Sequence, residues 1–472
     1  MTSPTPRAIS RLGVGAYRLA LGVPEHERVL YKALERQKDP RHNINLIDTS
    51  SNYSDGKSEL LIGKVLSHPR RDTLRRDEVV ISTKFGYIQN KNMRLLSEGV
   101  FQKVPPEEIV KYSPECYHCI HPEFMRDQLT RSLERLRTKF VDILFVHNPE
   151  YYLMSNIKHT EVNVKNSPLT SPSANKTKDF ERPGSAVRPY LVTSTYHSLP
   201  QSSHGLAFLQ MPGNLLEMEG VETTAKWAKD HGLGVFLNRP LNAMSLSRQP
   251  VRLASYPPPQ APTYVEAKTQ VLESLCVLSQ RREYLQPKMQ RLTEMIEDLD
   301  ASLRTNKLSI IHMEGASIKN LLHQELARPV KVKGLQHQHL SIPSSNSHES
   351  QYQEQEPMPT DVEGPNHTPT QSHGRSSPVP YAKPSVQEID RLITHLDHFV
   401  RAFHQQVRSQ ESDRVKKMLT DRGIDLKGST VEQFAIEYLL EYAQVNSVLL
   451  GMKRQPYVDF AREMLKIMVG TK

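Results

Sequence analysis

Short apolar runs alternate along this chain with longer stretches in which apolar residues recur every three or four positions. Leu12 to Tyr17 and Ile44 to Ile47 read as strands, and between them Glu25 to Gln37 places Val29, Leu30, Ala33 and Leu34 on one helical face. The alternation continues with a helix over Ser58 to Leu66 and a strand over Glu78 to Thr83, whose adjacent Val79, Val80 and Ile81 indicate burial on both faces. A helix over Phe124 to Leu136 and a strand over Val141 to Val146 follow. Further strands are expected at Pro189 to Thr193, Leu206 to Met211, Val235 to Leu237 and Val448 to Gly451, with helices at Val221 to Lys229, Val431 to Ala443 and Tyr457 to Met468. Eight strands alternating with helices is the count of a (β/α)8 TIM barrel, an α/β fold.

Three segments break the rhythm. Tyr87 to Ile120 is a long polar excursion, and excursions of that length are usually functional or disordered. Within an irregular insertion at 150–186, Ile157 to Arg182 is crowded with Ser, Thr, Asn, Lys and Pro and shows no amphipathic helix where the fourth crossover is expected. The largest break lies between strand seven and the final helices. There, Leu285, Met289, Leu292, Met295, Leu299 and Leu303 mark one amphipathic helix, and Ile389, Leu392, Leu396, Val400, Phe403 and Val407 a second. Between them, 341–384 is a run of Ser, His, Gln, Glu and Pro that cannot bury enough surface to offset ordering entropy. The pattern predicts a two-helix hairpin of coiled-coil character with a disordered tip. The expected organisation is therefore a first barrel part at 1–242, an insertion at 243–428 and the last barrel strand and helices at 429–472.

Composition narrows the picture. An apolar content of 37% with 33 prolines is low for a packed chain, which agrees with unpacked stretches confined to these breaks. The net charge is +9, but the basic residues are interspersed and form no block, which disfavours a nucleic-acid surface. Three cysteines cannot build a disulfide scaffold, and no apolar run reaches the ~18 residues of a membrane span. The cytosol is expected, with the mitochondrion as the alternative because MTSPTPRAISR is basic and free of acids. The CYHCIH stretch at Cys116 to His121 is a single CxxC without a second ligand pair, so no metal is expected.

The chemistry-bearing residues fall at strand ends. NLIDTSSNYSDGKSELLIG, from Asn45 to Gly63, runs from an apolar strand into a polar loop with Asp48 and Tyr53 and then into a helix. VVISTKFG ends on Lys84 and VDILFVHNP on His147. Taken singly, each has an ordinary explanation as a cap, turn or solvated residue. Together they form a proton-transfer set, since an ammonium beside a phenol favours phenolate and is expected to lower the phenol's pKa from about 10. With VLLGMKR near the end, these motifs in this order resemble the aldo-keto reductase superfamily. The resemblance implies an NAD(P)H-dependent barrel enzyme that reduces an aldehyde or ketone, or oxidises the alcohol. Tyr53 would donate the proton, Lys84 and Asp48 would tune it, and His147 would orient the carbonyl.

The resemblance also carries the cofactor. No GxGxxG follows a strand, which argues against a Rossmann site. Such reductases lay an extended nicotinamide dinucleotide across the barrel mouth, so NADP is expected here, with NAD left open. Ser194 and Gln210 match the residues that hold the carboxamide, and Thr195 stands where an Asn usually follows. Asn238, in NRPL, occupies the place of the ring that usually stacks on nicotinamide, and Arg239 takes a phosphate or ribose role. Gly451, Lys453 and Arg454 lie before the last helix, where a helix N-terminus with cations suits a phosphate. The implied partner is a small carbonyl or alcohol, with a protein partner at the helical insertion. The alternative is a catalytically weak nucleotide-binding barrel that serves as a regulatory or scaffold subunit.

Overall fold

A computed structural model describes residues 8–152, 206–244, 250–256, 261–305, 315–327 and 384–470. In chain order the elements begin with β1 (Leu12–Gly15), α1 (Pro24–Ala33), β2 (Leu46–Asp48), α2 (Lys57–Ser67) and β3 (Val80–Phe85). Next come β4 (Tyr87–Ile88), α3 (Lys91–Ser97), β5 (Val110–Ser113), β6 (Cys116–His118), α4 (Pro122–Leu136) and β7 (Ile143–Val146). After these come β8 (Phe208–Pro212), α5 (Glu219–Glu222), α6 (Thr224–Asp230), β9 (Gly234–Asn238), β10 (Asn242–Met244) and β11 (Pro250–Arg252). The last are α7 (Tyr264–Arg281), α8 (Gln286–Thr305), α9 (Gly315–Ala327), α10 (Val386–Thr420), α11 (Val431–Glu441), β12 (Ser447–Gly451) and α12 (Gln455–Gly470). Two compact units result, one formed by 1–255 with 415–472 and the other by 256–414.

The first unit is built on a seven-stranded sheet in the order β7-β3-β2-β1-β12-β9-β8, and every pairing in it is parallel. In terms of the strands read from the sequence, that order runs four, three, two, one, eight, seven, six. It is the circular order of a (β/α)8 barrel, and the α/β barrel class expected from the pattern is the class observed. The fifth expected strand, at 189–193, and the fourth crossover lie outside the described residues, as does 341–383 of the low-complexity stretch.

Side-chain alternation sorts each strand into an inner and an outer face. Leu46 of β2 and Val80 of β3 point inward to join Phe236 and Leu449 in a small buried cluster, against which Phe145 and Phe208 pack. Their sequence neighbours Ile47 and Ile81 point outward into the large core shared with Leu12, Val448, Leu30 and Ile62. Fully burying one such side chain is worth roughly 1.5–3 kcal/mol, so the register is firmly set. The inner layer is tight. A Cβ on Gly13 would come within 2.9 Å of the Leu46 and Leu449 side chains. Outside the sheet, α2 meets α4 at Gly63, where a Cβ would lie 2.2 Å from the Arg135 carbonyl oxygen.

Two of the breaks in the rhythm take definite form. The polar excursion after β3 is folded, for β4, β5 and β6 make a three-stranded antiparallel sheet whose middle strand is β6. Phe101, Val104 and Ile88 bury with Phe124 beneath it, so a few spaced apolar residues sufficed. Among the described residues the insertion holds four helices, α7 to α10, so the expected two-helix hairpin is corrected. Its core joins Val271 and Leu275 of α7, Leu292 of α8, Leu322 of α9, and Phe399 and Phe403 of α10. Thr263 and Glu266 form a capping box at the start of α7, and the Tyr264 hydroxyl donates to Asp300 Oδ1 at 2.6 Å.

Candidate active site

The inward face of β2 and β3 changes character at the carboxyl end. Asp48 follows Leu46 by two residues and Ser82 and Lys84 follow Val80 by two and four, so all three face the barrel interior, with Asp48 in register with Ser82. Lys84 Nζ donates to Asp48 Oδ2 at 2.7 Å and to the Thr49 carbonyl at 2.7 Å. The other carboxylate oxygen, Oδ1, accepts from the Ser82 hydroxyl at 2.7 Å and from Gln210 Nε2 at 2.9 Å. Lys84 is 2% and Asp48 4% exposed, so the pair is an internal one and each charge depends on the other.

Tyr53 is delivered by the turn after β2. Ser54, Asp55 and Gly56 all have positive φ, at 49°, 55° and 83°, which bends the chain sharply just after the phenol and before α2. Two of the three are not glycine, so backbone strain is held next to Tyr53. Lys84 Nζ sits 4.9 Å from the Tyr53 ring centroid. The Tyr53 and His147 rings meet edge to face at 5.7 Å, and Tyr17 and Tyr87 extend the aromatic wall on either side at 5.1 Å from Tyr53 and 4.9 Å from His147.

The titration behaviour follows from burial. Burial works against the Lys84 ammonium, but Asp48 and then Tyr53 outweigh it, and its pKa stands above the ordinary lysine value. Burial also raises the Tyr53 phenol, and Lys84 opposes that rise without cancelling it. The expected net lowering is therefore corrected, because withdrawal from water disfavours phenolate more than one ammonium, already paired with Asp48, favours it. Burial, Lys84 and His118 together hold His147 well below its ordinary value, so its imidazole is neutral. Its Nδ1 lies 3.1 Å from the Ser50 hydroxyl. The Ser50 hydroxyl has one proton, which points to Asn52 Oδ1 at 2.7 Å; when it turns to His147 Nδ1 instead, the ring proton of His147 sits on Nε2.

Sequence reasoning missed His118. Its Nε2 is 2.7 Å from the His147 carbonyl oxygen, which can only accept, so Nε2 carries the proton and donates. His118 is fully buried, and burial pushes its pKa down to about 4. It lies within CYHCIH, whose spacing suggests metal ligation or nothing. The usable signal was its place at the end of a strand in a segment folded beside the site.

The remaining candidates share the same rim. Gly451 pairs with Gly15, which pairs with Asp48, so the end of β12 stands level with the carboxylate. Lys453 and Arg454 follow directly and lead into α12. Arg239, with φ 56°, lies just past β9, and its guanidinium is 3.9 Å from Glu217. Asn238 Oδ1 is buried with no hydrogen-bond partner. Ser194 lies outside the described residues. Among the described residues, no group of three or more His, Cys, Asp or Glu is placed to hold a metal ion, and no helix is long and apolar enough to cross a membrane.

Fold and site together define a parallel α/β barrel with a buried carboxylate–ammonium pair, a phenol and an imidazole at the carboxyl ends of its strands. Residues 11–182 match the aldo/keto reductase family model, the family that the motifs resemble. The chain is 29% identical over 148 residues to an NADH-specific methylglyoxal reductase of Escherichia coli, a match to 30% of this chain and 39% of that protein. It is 33% identical over 116 residues to D-arabinose 1-dehydrogenase of Saccharomyces cerevisiae, 25% of this chain and 26% of that protein. The chain thus spans well under half the length of these curated relatives. Solved structures with similarity include an aldo-keto reductase from Bacillus halodurans in its holo form, with TM-score 0.32, 18% identity and coverage of 56% of this chain and 73% of that one. Another, from Klebsiella pneumoniae in complex with NADP and acetate, has TM-score 0.27, 18% identity and coverage of 48% and 63%.

Proposed function

We propose that this chain reduces an aldehyde or ketone with NAD(P)H, or runs the same step in reverse. The observation that carries the proposal is the Lys84–Asp48 contact of 2.7 Å with the Tyr53 ring 4.9 Å from the same ammonium. A protonated phenol held beside a fixed cation is suited to giving up its proton only when a stronger base forms next to it. The alkoxide that results from hydride addition to a carbonyl is such a base. With burial keeping Tyr53 protonated at neutral pH, the proton stays in place until that moment, and Lys84 then stabilises the phenolate left behind. Asp48 keeps Lys84 charged and aimed. His147, neutral and held at its carbonyl by His118, offers an N–H to the carbonyl oxygen and orients it. Tyr87 flanks His147 on one side of the reacting centre.

The residues present fit a nicotinamide dinucleotide. The buried, unpartnered Asn238 Oδ1 is an acceptor that a carboxamide N–H would satisfy. Gln210, together with Ser194, would hold the same group. Arg239 would take ribose or phosphate, and Gly451, Lys453 and Arg454, ahead of α12, would take a phosphate. Two cations at that end favour NADP over NAD. The cofactor supplies the hydride. The printed activities of the curated relatives, a methylglyoxal reductase and D-arabinose 1-dehydrogenase, support the reading.

The test is NADPH consumption with a panel of aldehydes and ketones, for the native chain and for Tyr53→Phe. Loss of the phenolic proton should lower kcat by about 10²–10⁴-fold, with NADPH affinity unchanged by titration of the single tryptophan, Trp227. Equal rates in the two proteins would refute the assignment of Tyr53. Tight NADPH binding without turnover of any carbonyl would favour the regulatory or scaffold alternative.

A further inference from the structure

The helical unit holds a second polar site that has no part in carbonyl chemistry. A cavity of about 380 Å³ opens between α9 and α10, lined by Lys319 of the first helix and by Asp397, Arg401, His404 and Arg408 among the residues of the second. That volume falls within the range of small-ligand sites. Residues 397, 401, 404 and 408 follow one another at three or four positions, so they share one face of α10.

The charges here do not balance internally. Asp397, the carboxylate among the lining residues, is already engaged. Lys319 Nζ lies 2.8 Å from its Oδ2, and His323 Nε2 lies 3.2 Å from its Oδ1. Arg401 and Arg408 are exposed, and no ion pair involves either guanidinium among the described residues. Arg408 lies 5.7 Å from the Tyr256 ring, which uses its face and leaves its N–H edge available. Between the two arginines, His404 Nε2 is buried with no hydrogen-bond partner. Burial and Arg408 both keep that imidazole uncharged in the absence of a neighbouring anion.

We propose that this face of α10, with Lys319 of α9, binds a phosphomonoester. Two unpaired guanidinium groups match a ligand that carries about −1.5 to −2 charge and three acceptor oxygens. The orphaned His404 nitrogen supplies a third donor once an oxyanion approaches it and favours its protonated form. A carboxylate would leave one guanidinium unpaired, and so fits the donor set less well. The group can come from a small phosphorylated metabolite or from a phosphorylated side chain, and the chemistry at the cavity is the same for both.

Calorimetric titration of the full chain with phenyl phosphate and with a phosphoserine peptide, at about 0.15 M ionic strength, tests the site. Saturable binding of at least one ligand is expected, weakened at least about tenfold in the R401Q/R408Q double variant. Both arginines are exposed, so the variant should melt as the native protein does, and its NADPH-dependent turnover should be unchanged. A peptide bound more than about tenfold tighter than phenyl phosphate identifies the phosphorylated side chain as the source, and comparable affinities identify the small metabolite. No saturation by about 10 mM of either ligand, or equal affinity in the double variant, would overturn the proposal.

Discussion

Replacing Lys84 by Met removes the charge and keeps the bulk of the side chain. Asp48, 4% exposed, is then left in the barrel interior without its cation. Breaking a buried pair from one side typically costs about 3–5 kcal/mol, because the remaining charge keeps its desolvation penalty and loses its partner. Here the loss should fall at the lower end. Ser82 and Gln210 still donate to Asp48 Oδ1 at 2.7 and 2.9 Å, and hydrogen bonds to a charged group are worth roughly 1.5–3 kcal/mol each. A destabilisation of about 3 kcal/mol in a unit of this size corresponds to a fall in melting temperature of roughly 6–12 °C. The decisive comparison is with Asp48→Asn combined with Lys84→Met. That double variant removes both charges and leaves an amide among donors, so it should recover part of the loss. The assay is thermal unfolding followed by circular dichroism, on the native protein, the two single variants and the double. A Lys84→Met protein that melts within about 1 °C of the native chain would show that Asp48 is not held as a charge by Lys84. A double variant less stable than Lys84→Met alone would refute the same reasoning from the other side.

Further outcomes follow from other contacts. The His118 pKa of about 4 lies below the value of about 6.5 expected in the unfolded chain, so the unfolded state takes up a proton first as pH falls. Its contribution is complete above about pH 6.5 and is lost progressively as pH drops through 4, amounting to at most about 3 kcal/mol, and His118→Asn should flatten the acid limb of a stability-against-pH curve. The same variant frees the His147 carbonyl and should lower kcat more than it raises KM. Gly63→Ala would press a methyl group against the Arg135 carbonyl, forcing α2 away from α4 at a cost of about 1–3 kcal/mol, read as a lower denaturant midpoint. Thr263→Ala dismantles the capping box of α7 and should cost about 1 kcal/mol, visible as faster amide exchange in the first turn of that helix.

Much of the barrel could be read from the chain because strand alternation and barrel geometry point the same way. Once β2 is taken as a buried strand, Leu46 and Asp48 must share a face, and the parallel neighbour β3 brings Lys84 to the same side. Asp48, Tyr53, Lys84 and His147 could therefore be placed together without coordinates. The small β4–β6 sheet was not legible, since its strands are two to four residues long and gain their order from Phe124 and Phe101 beneath them. The first helix of the insertion is legible in the sequence. Thr263 and Glu266 give a capping signal, and Ala267, Val271, Leu275 and Leu278 keep helical spacing. The sign of the Tyr53 shift could not come from the sequence, because it depends on how far the ring is withdrawn from water.

The place of β12 in the sheet sets a schedule for synthesis. Two strands made early, β1 and β9, are its neighbours, yet β12 leaves the ribosome only after the whole of 256–414. At about 5–20 residues per second, the nascent barrel waits on the order of ten seconds or more with both of those edges bare. Bare parallel edges are templates for the wrong partner. The helical unit has its own core and can close during that interval, and the emerging chain then needs only its last strand to seal the gap.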